Sequence, residues 1–308
     1  MVRDYVYREN FSRKRVGILL RIPIFLDFVL IHLKVGSCYD SFMKKFSSLV
    51  EDDIYKIEKK LKNLFLTNND IFKDLEIFIL SKSKRIRSLV TLLYIKINNT
   101  EINEAVITLL SAGELIHNAS LLHDDVIDDA DLRRGVTTLA KKYNSKISIL
   151  SGDYILSYAV KFITELGNRN IFDILTETTQ KMSEAEIKQY LLRFKDVNLE
   201  EYLEIIYGKT ASLFEAILKS SAILTNLNSD KAGEFGKQFG LLFQINNDLL
   251  EDSVNSDKKN GTKTIADILG IEKSNIFKDN YRKKMRAILE EFPDSKYKQV
   301  LEELIHSL

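Results

Sequence analysis

Apolar residues recur at spacings of three and four along most of the chain, and polar residues fill the positions between them. The stretches EDDIYKIEKKLKNLF (51–65) and YRKKMRAILEEF (281–292) show this period clearly. Such spacing is typical of amphipathic helices, whereas the alternation that indicates half-buried strands is hard to find anywhere. The pattern therefore predicts an all-α fold.

Helix breakers are rare, since the 308 residues include only two prolines and twelve glycines. A proline inside a helix costs about 3 kcal/mol, so a long chain with so few breakers favours continuous helices. Short segments rich in Asn, Asp, Gly or Ser separate the helical stretches, and no long linker or fixed-period repeat is found. The candidate turns lie at 66–70, 97–101, 166–170, 226–230 and 255–262. We expect one domain.

The first 42 residues differ from the rest. Residues 1–15 are rich in arginine and residues 16–35 are strongly apolar. Charged residues and Pro23 interrupt the apolar run, which argues against a membrane-spanning helix. Two interpretations stay open: an accessory helix packed on the domain or on a membrane surface, or an upstream extension not made in the cell, with Met43 as the start. We divide the chain into an atypical extension, 1–42, and a helical domain, 43–308.

The composition indicates which class of binding partner and which cellular compartment to expect. Lysine plus arginine (45) almost equals aspartate plus glutamate (44), whereas nucleic-acid-binding proteins usually carry a broad basic excess, so no nucleic-acid partner is expected. The single cysteine, Cys38, excludes an intrachain disulfide and a four-cysteine zinc site. We expect a cytoplasmic protein, with membrane association left open.

Five aspartates fall within eight positions of SLLHDDVIDDADLRRG (120–135). On a helix spanning 105–130, Asp124 and Asp128 share a face, with Asp125 beside them. The residues before them are nearly all apolar or small, so this helix is expected to be buried. Carboxylates without histidine or thiolate ligands suit Mg2+, which completes its shell with water and substrate phosphate oxygens.

Arg133 and Arg134 follow the aspartates directly. Both stay charged and can bind phosphate oxygens through two nitrogens at once. An acidic metal site beside a basic phosphate site is what binding of a diphosphate requires. The alternative is a solvated acidic helix end that pairs locally with the two arginines.

ELIHNASLLHDDVIDDADLRRG (114–135) closely resembles the first aspartate-rich motif of the trans-isoprenyl diphosphate synthases, also called polyprenyl synthetases, of the octaprenyl type. The resemblance extends over about 45–300. Four further stretches follow in the family's order, namely KSKRIRS (82–88), ILSGDYILSYA (149–159), IIYGKTASLFEA (205–216) and GLLFQINNDLLED (240–252). The resemblance implies a single-domain orthogonal helix bundle around a central cavity.

The resemblance also implies a reaction, in which an allylic diphosphate of the geranyl or farnesyl type condenses head-to-tail with isopentenyl diphosphate. The implied Mg2+ ligands are Asp124, Asp125, Asp128 and Asp248. The implied contacts to the allylic diphosphate are Arg133, Lys209 and Thr210, with Gln244 nearby, and those to isopentenyl diphosphate are Lys84, Arg87, His117 and Arg134. Lys209, Arg133, Asp124 and Asp128 would carry the catalysis. His117 has an alternative interpretation as a buried structural histidine.

The second motif departs from the family pattern. Asn247 and Glu251 stand where the family has aspartates, and Thr262 stands where it has a lysine. Asp252 could compensate for the missing carboxylate, and Lys258, Lys259 and Lys263 for the missing charge. These changes leave two alternatives open, a non-catalytic or weakly active subunit of a heteromeric synthase and, less favoured, a class I terpene cyclase.

Small residues below the first motif indicate the length of the product. Ala119, Ile116 and Gly113 stand five, eight and eleven residues before Asp124, and Ser120 adjoins the first. None is aromatic, so we expect an open apolar channel and a product longer than farnesyl diphosphate. The family further implies a homodimer, and release of such a product suggests peripheral membrane contact.

Overall fold

Helices make up almost all of the structure, a computed structural model that describes residues 47–65, 69–80, 84–133, 135–250 and 260–308. A short 3-10 turn (Ser48–Val50) leads into the helices, which are α1 (Glu51–Lys62), α2 (Asp70–Leu80), α3 (Ile86–Ile97), α4 (Glu104–Ile127), α5 (Leu139–Lys142), α6 (Ser145–Glu165), α7 (Arg169–Leu191), α8 (Leu199–Ile206), α9 (Ser212–Leu224), α10 (Ser229–Asp248), α11 (Ile265–Leu269), α12 (Ile271–Glu290) and α13 (Lys296–Ser307). A π-helical turn, Tyr207–Ala211, joins α8 to α9. The predicted all-α class is confirmed. The prediction for residues 1–42 lies outside the described residues.

Two short strands interrupt the helices, β1 (Leu132–Arg133) and β2 (Val136–Thr137). They pair antiparallel, Leu132 with Thr137 and Arg133 with Val136. This ribbon follows directly on the end of α4 and turns the chain back towards it.

Asparagine side chains begin five of the helices. Each accepts a hydrogen bond from the backbone N–H three residues later, which satisfies a donor that the first helical turn leaves open. The capping residues are Asn103, Asn144, Asn168, Asn198 and Asn228. The predicted breaks at 97–101, 166–170 and 226–230 each span a junction between two helices, so these three are confirmed.

Helix α4 forms the centre of the bundle, with α1, α6 and α9 packed around it. Among the described residues it is the one helix long and apolar enough to cross a membrane, yet 78% of its most apolar window is buried within the protein. It is therefore the core helix, as its apolar sequence predicts. Helix α10 packs along α9, and the rings of Phe214 on α9 and Phe239 on α10 lie 5.3 Å apart.

A buried ion pair fixes the start of α3 against α4. Nη1 of Arg85 lies 3.0 Å from Oε2 of Glu114, and its Nη2 donates to the carbonyl of Ile79 at 2.8 Å. The hydroxyl of Ser88 donates to the other oxygen of Glu114 at 2.7 Å. Arg85 itself adopts a left-handed backbone conformation (φ 47°). The pair thereby holds the segment that carries Lys84 and Arg87.

Candidate active site

The first acidic motif lies at the C-terminal end of α4. The helix ends at Ile127, three residues before the end of the predicted range, and Asp128 is its C-cap. The N–H of Asp128 still donates to the carbonyl of Asp124 at 2.8 Å. The two carboxylates therefore keep the one-turn spacing that the sequence predicts.

Arg133 returns to this motif from the ribbon. Its Nε and Nη2 both lie 2.7 Å from Oδ1 of Asp125, a residue that is fully buried. A guanidinium held at two points is a strong, oriented interaction. Arg133 is thus beside the aspartates, as predicted. The predicted role of Asp125 as a metal ligand stays a prediction.

Lys209 lies in the π-helical turn and faces the acidic motif. Close packing brings this turn to α7, since a Cβ at Gly208 would lie only 2.6 Å from the Cβ of Ala185. Nζ of Lys209 forms an ion pair with Glu186 and donates to Oε1 of Gln189 at 3.2 Å. Burial lowers the pKa of Lys209, but Asp124, Glu186 and Asp128 outweigh it, so the pKa is raised and the ammonium stays charged.

Asp124 lies in an environment that disfavours its ionised form. Burial raises its pKa to about 7, with Glu186 and Asp128 adding to the rise and Lys209 and Arg133 opposing it. The local positive charge therefore does not outweigh burial and the two neighbouring acidic groups. Such a site favours the binding of a further cation.

Asp248 represents the second motif at the end of α10. Its carboxylate accepts hydrogen bonds from the Tyr202 hydroxyl at 2.7 Å and from Nε2 of Gln244 at 2.6 Å. The hydroxyl of Thr210 donates to Oε1 of Gln244 at 2.9 Å. Burial raises the pKa of Asp248 to about 6, against the influence of these hydrogen bonds and of Lys209. Three predicted site residues thus form one hydrogen-bonded chain.

A cavity of about 140 Å³ opens beside Asp248 of the second motif. Its walls include Lys209, Thr210, Gln244 and Asp248, and the segment after the second motif contributes Thr262, Lys263 and Thr264. Lys263, one of the predicted substitutes for the lysine missing at position 262, therefore lines the site. The cavity brings one carboxylate, Asp248, together with two cations, Lys209 and Lys263, a combination that suits an anion bound through a metal.

Comparison with protein families supports the same assignment. Residues 70–306 match the family model described as polyprenyl synthetase, which covers well over half of the chain. The chain belongs to this family.

Similar proteins of the family include a prenyl transferase of Porphyra purpurea, 34% identical over 71% of this chain and 70% of its own. The octaprenyl diphosphate synthase of Escherichia coli is 31% identical over 74% of this chain and 71% of its own. Among solved structures, a decaprenyl diphosphate synthase from Rhodobacter capsulatus superposes with a TM-score of 0.79, covering 86% of this chain and 98% of its own, at 21% identity. That likeness shows the shared fold.

The residues implied for isopentenyl diphosphate lie on α3 and α4. Arg87, in the first turn of α3, is buried, with its guanidinium 4.8 Å from the ring centroid of Phe214. Lys84 is exposed just before α3, and His117 is half-buried two turns before Asp124. Their binding roles stay predictions. Arg134, together with Asp252, Lys258 and Lys259, lies outside the described residues.

The structure places the predicted chain-length residues inside the bundle. Ala119 and Ile116 are buried, and half-buried Ser120 donates to the His117 carbonyl at 2.9 Å. The gap at Gly113 is not open, however, because the side chain of Ile217 on α9 fills it. The expectation of an open channel therefore needs correction at this level, since the sequence of α4 alone could not show what a second helix brings there.

Two functional contacts were missed by sequence reasoning. Glu186 pairs with Lys209, and Arg193, just after α7, forms an ion pair with Asp128. Glu186 lies on α7, where polar residues recur at positions typical of a solvated face, and Arg193 follows the end of this helix. The sequence signal that could have indicated the contact with Lys209 is the spacing of Glu186 and Gln189, which stand three residues apart.

The site fits a divalent ion that also binds substrate. Within the described residues, no three His, Cys, Asp or Glu side chains converge as a complete metal cage. Mg2+ does not need one, because it binds one or two carboxylates and takes its other ligands from water and phosphate. Asp124, Asp128 and Asp248 are oxygen donors of the right kind, and burial raises the pKa of Asp124.

Proposed function

We propose that this chain condenses an allylic diphosphate with isopentenyl diphosphate head-to-tail, giving a longer all-trans polyprenyl diphosphate. One observation carries the proposal. Half-buried Lys209 interacts electrostatically with Asp124 and Asp128 of the first motif and with Asp248 of the second. The two acidic motifs of the family therefore share one cation beside a single cavity.

Catalysis depends on charged groups that are already in position before the reaction begins. The C1–O bond of the allylic substrate breaks, and its electron pair leaves with the diphosphate, which Lys209 and Arg133 stabilise. The double bond of isopentenyl diphosphate attacks the resulting allylic cation, and a proton is then lost to the released diphosphate. The protein contributes orientation and fixed charge rather than its own acid–base groups.

Mg2+ is the proposed cofactor, held by Asp124, Asp128 and Asp248, with Asp125 near. When bound, it would neutralise the diphosphate and favour its departure. Support comes from the oxygen-only donor set and from the raised pKa values of Asp124 and Asp248, about 7 and about 6. Because burial is the main cause of both shifts, a bound cation would remove part of the cost of ionising these groups.

Isopentenyl diphosphate is proposed to contact Lys84, Arg87, His117 and Arg134. Support comes from Arg87, a buried guanidinium in the first turn of α3, and from the ion pair of Arg85 with Glu114 that fixes this turn. The allylic substrate is proposed to lie in the cavity at Thr210 and Gln244, with its chain directed along α4 past Ser120, Ala119 and Ile116. We propose a product longer than farnesyl diphosphate.

We propose that the protein is a cytoplasmic homodimer that touches the membrane when product leaves. Ile149 and Val160, eleven residues apart on one face of α6, are 42% and 44% exposed and would be covered by a second copy. Ile187, Leu191 and Phe194, at and just after the end of α7, are exposed apolar residues. These three residues are the proposed membrane contact.

Purified protein incubated with farnesyl diphosphate, isopentenyl diphosphate and Mg2+ tests the activity. We expect longer prenyl diphosphates, and loss of at least about a hundredfold in kcat for Lys209→Gln, typical of removing one preorganised cation from a transition state. Lys231→Gln is the matched control, because Lys231 forms an exposed ion pair with Glu291 far from the motifs. A cyclised hydrocarbon product, or no product at all from the folded protein, would contradict the proposal.

A further inference from the structure

Arg193 contacts the first acidic motif from outside it. Its Nη2 forms an ion pair with Oδ1 of Asp128, and its Nη1 donates to the carbonyl of Ile127 at 3.2 Å. The guanidinium stacks 4.8 Å from the ring centroid of Tyr190, and the side chain is only 14% exposed. Three separate interactions therefore hold this cation in place, one of them with the carboxylate of Asp128.

The backbone around Arg193 is fixed as well. Helix α7 ends at Leu191, and Phe194 adopts a left-handed conformation (φ 60°). The N–H of Phe194 donates to the carbonyl of Gly261 at 2.8 Å, and Nε2 of Gln189 donates to the Thr262 hydroxyl at 3.3 Å. The corner that carries Arg193 is thereby attached to the segment that follows the second motif.

Arg193 occupies Oδ1 of Asp128, an oxygen that a divalent ion at this carboxylate could also bind. A guanidinium and a metal ion at one carboxylate oxygen would bring two positive centres into contact, which is strongly unfavourable at a poorly solvated site. Binding of a metal to Oδ1 of Asp128 therefore has to displace Arg193 or compete with it.

We propose that Arg193 is an internal counter-ion, which occupies the cation position at Asp128 in the metal-free protein and competes there with the divalent ion. The inference rests on the proposed function, in which Asp128 is a metal ligand. Arg193 is accordingly a positioning residue that sets the metal concentration the enzyme requires. It stabilises the acidic motif while no metal is bound and lowers the affinity for metal.

Binding of Mn2+, followed by the electron paramagnetic resonance of the free ion, tests this competition without turnover. Protein is titrated at a fixed concentration of farnesyl thiolodiphosphate, which carries the diphosphate but does not react, and a protein-free blank is subtracted. Arg193→Gln is expected to bind Mn2+ about tenfold more tightly. This factor corresponds to the loss of one charge-assisted hydrogen bond between Asp128 and the competing guanidinium. Arg169→Gln is the matched control, since Arg169 forms an exposed pair with Asp173 on the same helix.

A second variant keeps the test possible if Arg193→Gln does not fold. Tyr190→Ala removes the exposed ring on which the guanidinium stacks and leaves Arg193 in place, so Mn2+ binding should tighten by a smaller factor. Unchanged or weaker binding in both folded variants would overturn the competition and indicate instead that Arg193 helps to hold the metal–diphosphate complex.

Failure of the proposed function has a different signature. In that case the wild-type protein would bind no Mn2+ beyond the blank, Asp128→Asn would behave identically, and no prenyl product would form. A wild-type protein that binds Mn2+ and loses this binding in Asp128→Asn supports the metal site, whatever Arg193→Gln then shows.

Discussion

The side chain of Ile217 lies directly against Gly113. A Cβ at Gly113 would be 2.5 Å from Cδ1 of Ile217, far closer than two carbon atoms can approach. Gly113 stands eleven residues before Asp124, so it lies on the same helix face, roughly 16 Å further along α4. Ile217 on α9 therefore covers the face along which the growing prenyl chain is proposed to extend.

Replacing Ile217 with alanine is expected to lengthen the product. Removing the side chain opens space beside Gly113 at a cost in stability of about 2–5 kcal/mol. The measurement is the distribution of product lengths by mass spectrometry at fixed substrate ratio. Ile305→Ala is the matched control, because Ile305 is equally buried but lies on α13. An unchanged distribution in folded Ile217→Ala would exclude Ile217 as the end of the channel.

Enlarging Ala119 is expected to have the opposite effect. Ala119 is 2% exposed and stands five residues before Asp124. A larger side chain would project into the proposed channel close to the reacting end, with an overpacking cost of about 1–3 kcal/mol. The series Ala119→Val, Ala119→Leu and Ala119→Phe should shorten the products step by step. If the Phe variant makes the wild-type set of lengths, the channel does not run past this residue.

The Arg85–Glu114 pair is expected to be essential for stability. Both side chains are almost fully buried, 2% and 3% exposed, and removing Glu114 leaves the Arg85 guanidinium with the longer, 3.7 Å ion pair to Glu58 as its charge partner. Glu114→Ala should lower the free energy of unfolding by about 3–5 kcal/mol. Because the pair fixes the turn that carries Lys84 and Arg87, the KM for isopentenyl diphosphate should also rise.

Urea denaturation measures the first effect and steady-state kinetics the second. Asp70→Asn breaks an exposed pair with Lys73 and should cost less than about 1 kcal/mol. Equal losses of unfolding free energy in Glu114→Ala and Asp70→Asn would show that burial does not determine how much the Arg85–Glu114 pair contributes to stability.

The sequence could predict those features that depend on neighbouring residues. Helical spacing, the asparagine-rich breaks and the one-turn separation of Asp124 and Asp128 are local, and the structure bears them out. Arg133 lies only five residues from Asp128, so its return to the motif could be expected too.

Contacts between distant helices could not be predicted in this way. Arg193 meets Asp128 across 65 residues and Ile217 meets Gly113 across 104. Ile217 has an ordinary periodic position on α9 and Arg193 follows the end of α7, so only the packing of the folded chain shows their roles. The family resemblance did not help either, since neither Arg193 nor Ile217 was among the residues it assigned.

Restoring an aspartate at position 247 is expected to raise affinity for the metal. Asn247 lies half-buried beside Asp248 in the last turn of α10. A carboxylate there adds negative charge that Mg2+ can neutralise. Asn247→Asp should therefore lower the Mg2+ concentration needed for half-maximal activity, and Mg2+ should raise its melting temperature more than it raises that of the wild type. An unchanged Mg2+ requirement would show that this position is not near the ion.

Asp74 is expected to contribute stability that depends on pH. Its carboxylate lies 2.6 Å from Nζ of Lys142 and accepts a hydrogen bond from the Tyr143 hydroxyl at 2.5 Å. Burial of Asp74 opposes ionisation, but these hydrogen bonds and the charge of Lys142 outweigh it, so the pKa of Asp74 lies below its usual value. The unfolded chain therefore binds this proton at a higher pH than the folded protein does.

Stability from this cluster is accordingly present at neutral pH and is lost as the pH falls through the pKa of folded Asp74. Asp74→Asn should cost about 1 kcal/mol at pH 7, because Lys142 is half exposed and its ion pair is partly screened. The difference in unfolding free energy between wild type and variant should shrink below about pH 4. Asp131→Asn, which breaks an exposed pair with Lys141, is the control and should show a smaller change. If the difference in unfolding free energy stays constant from pH 7 to pH 3, Asp74 contributes to stability through packing rather than through its charge.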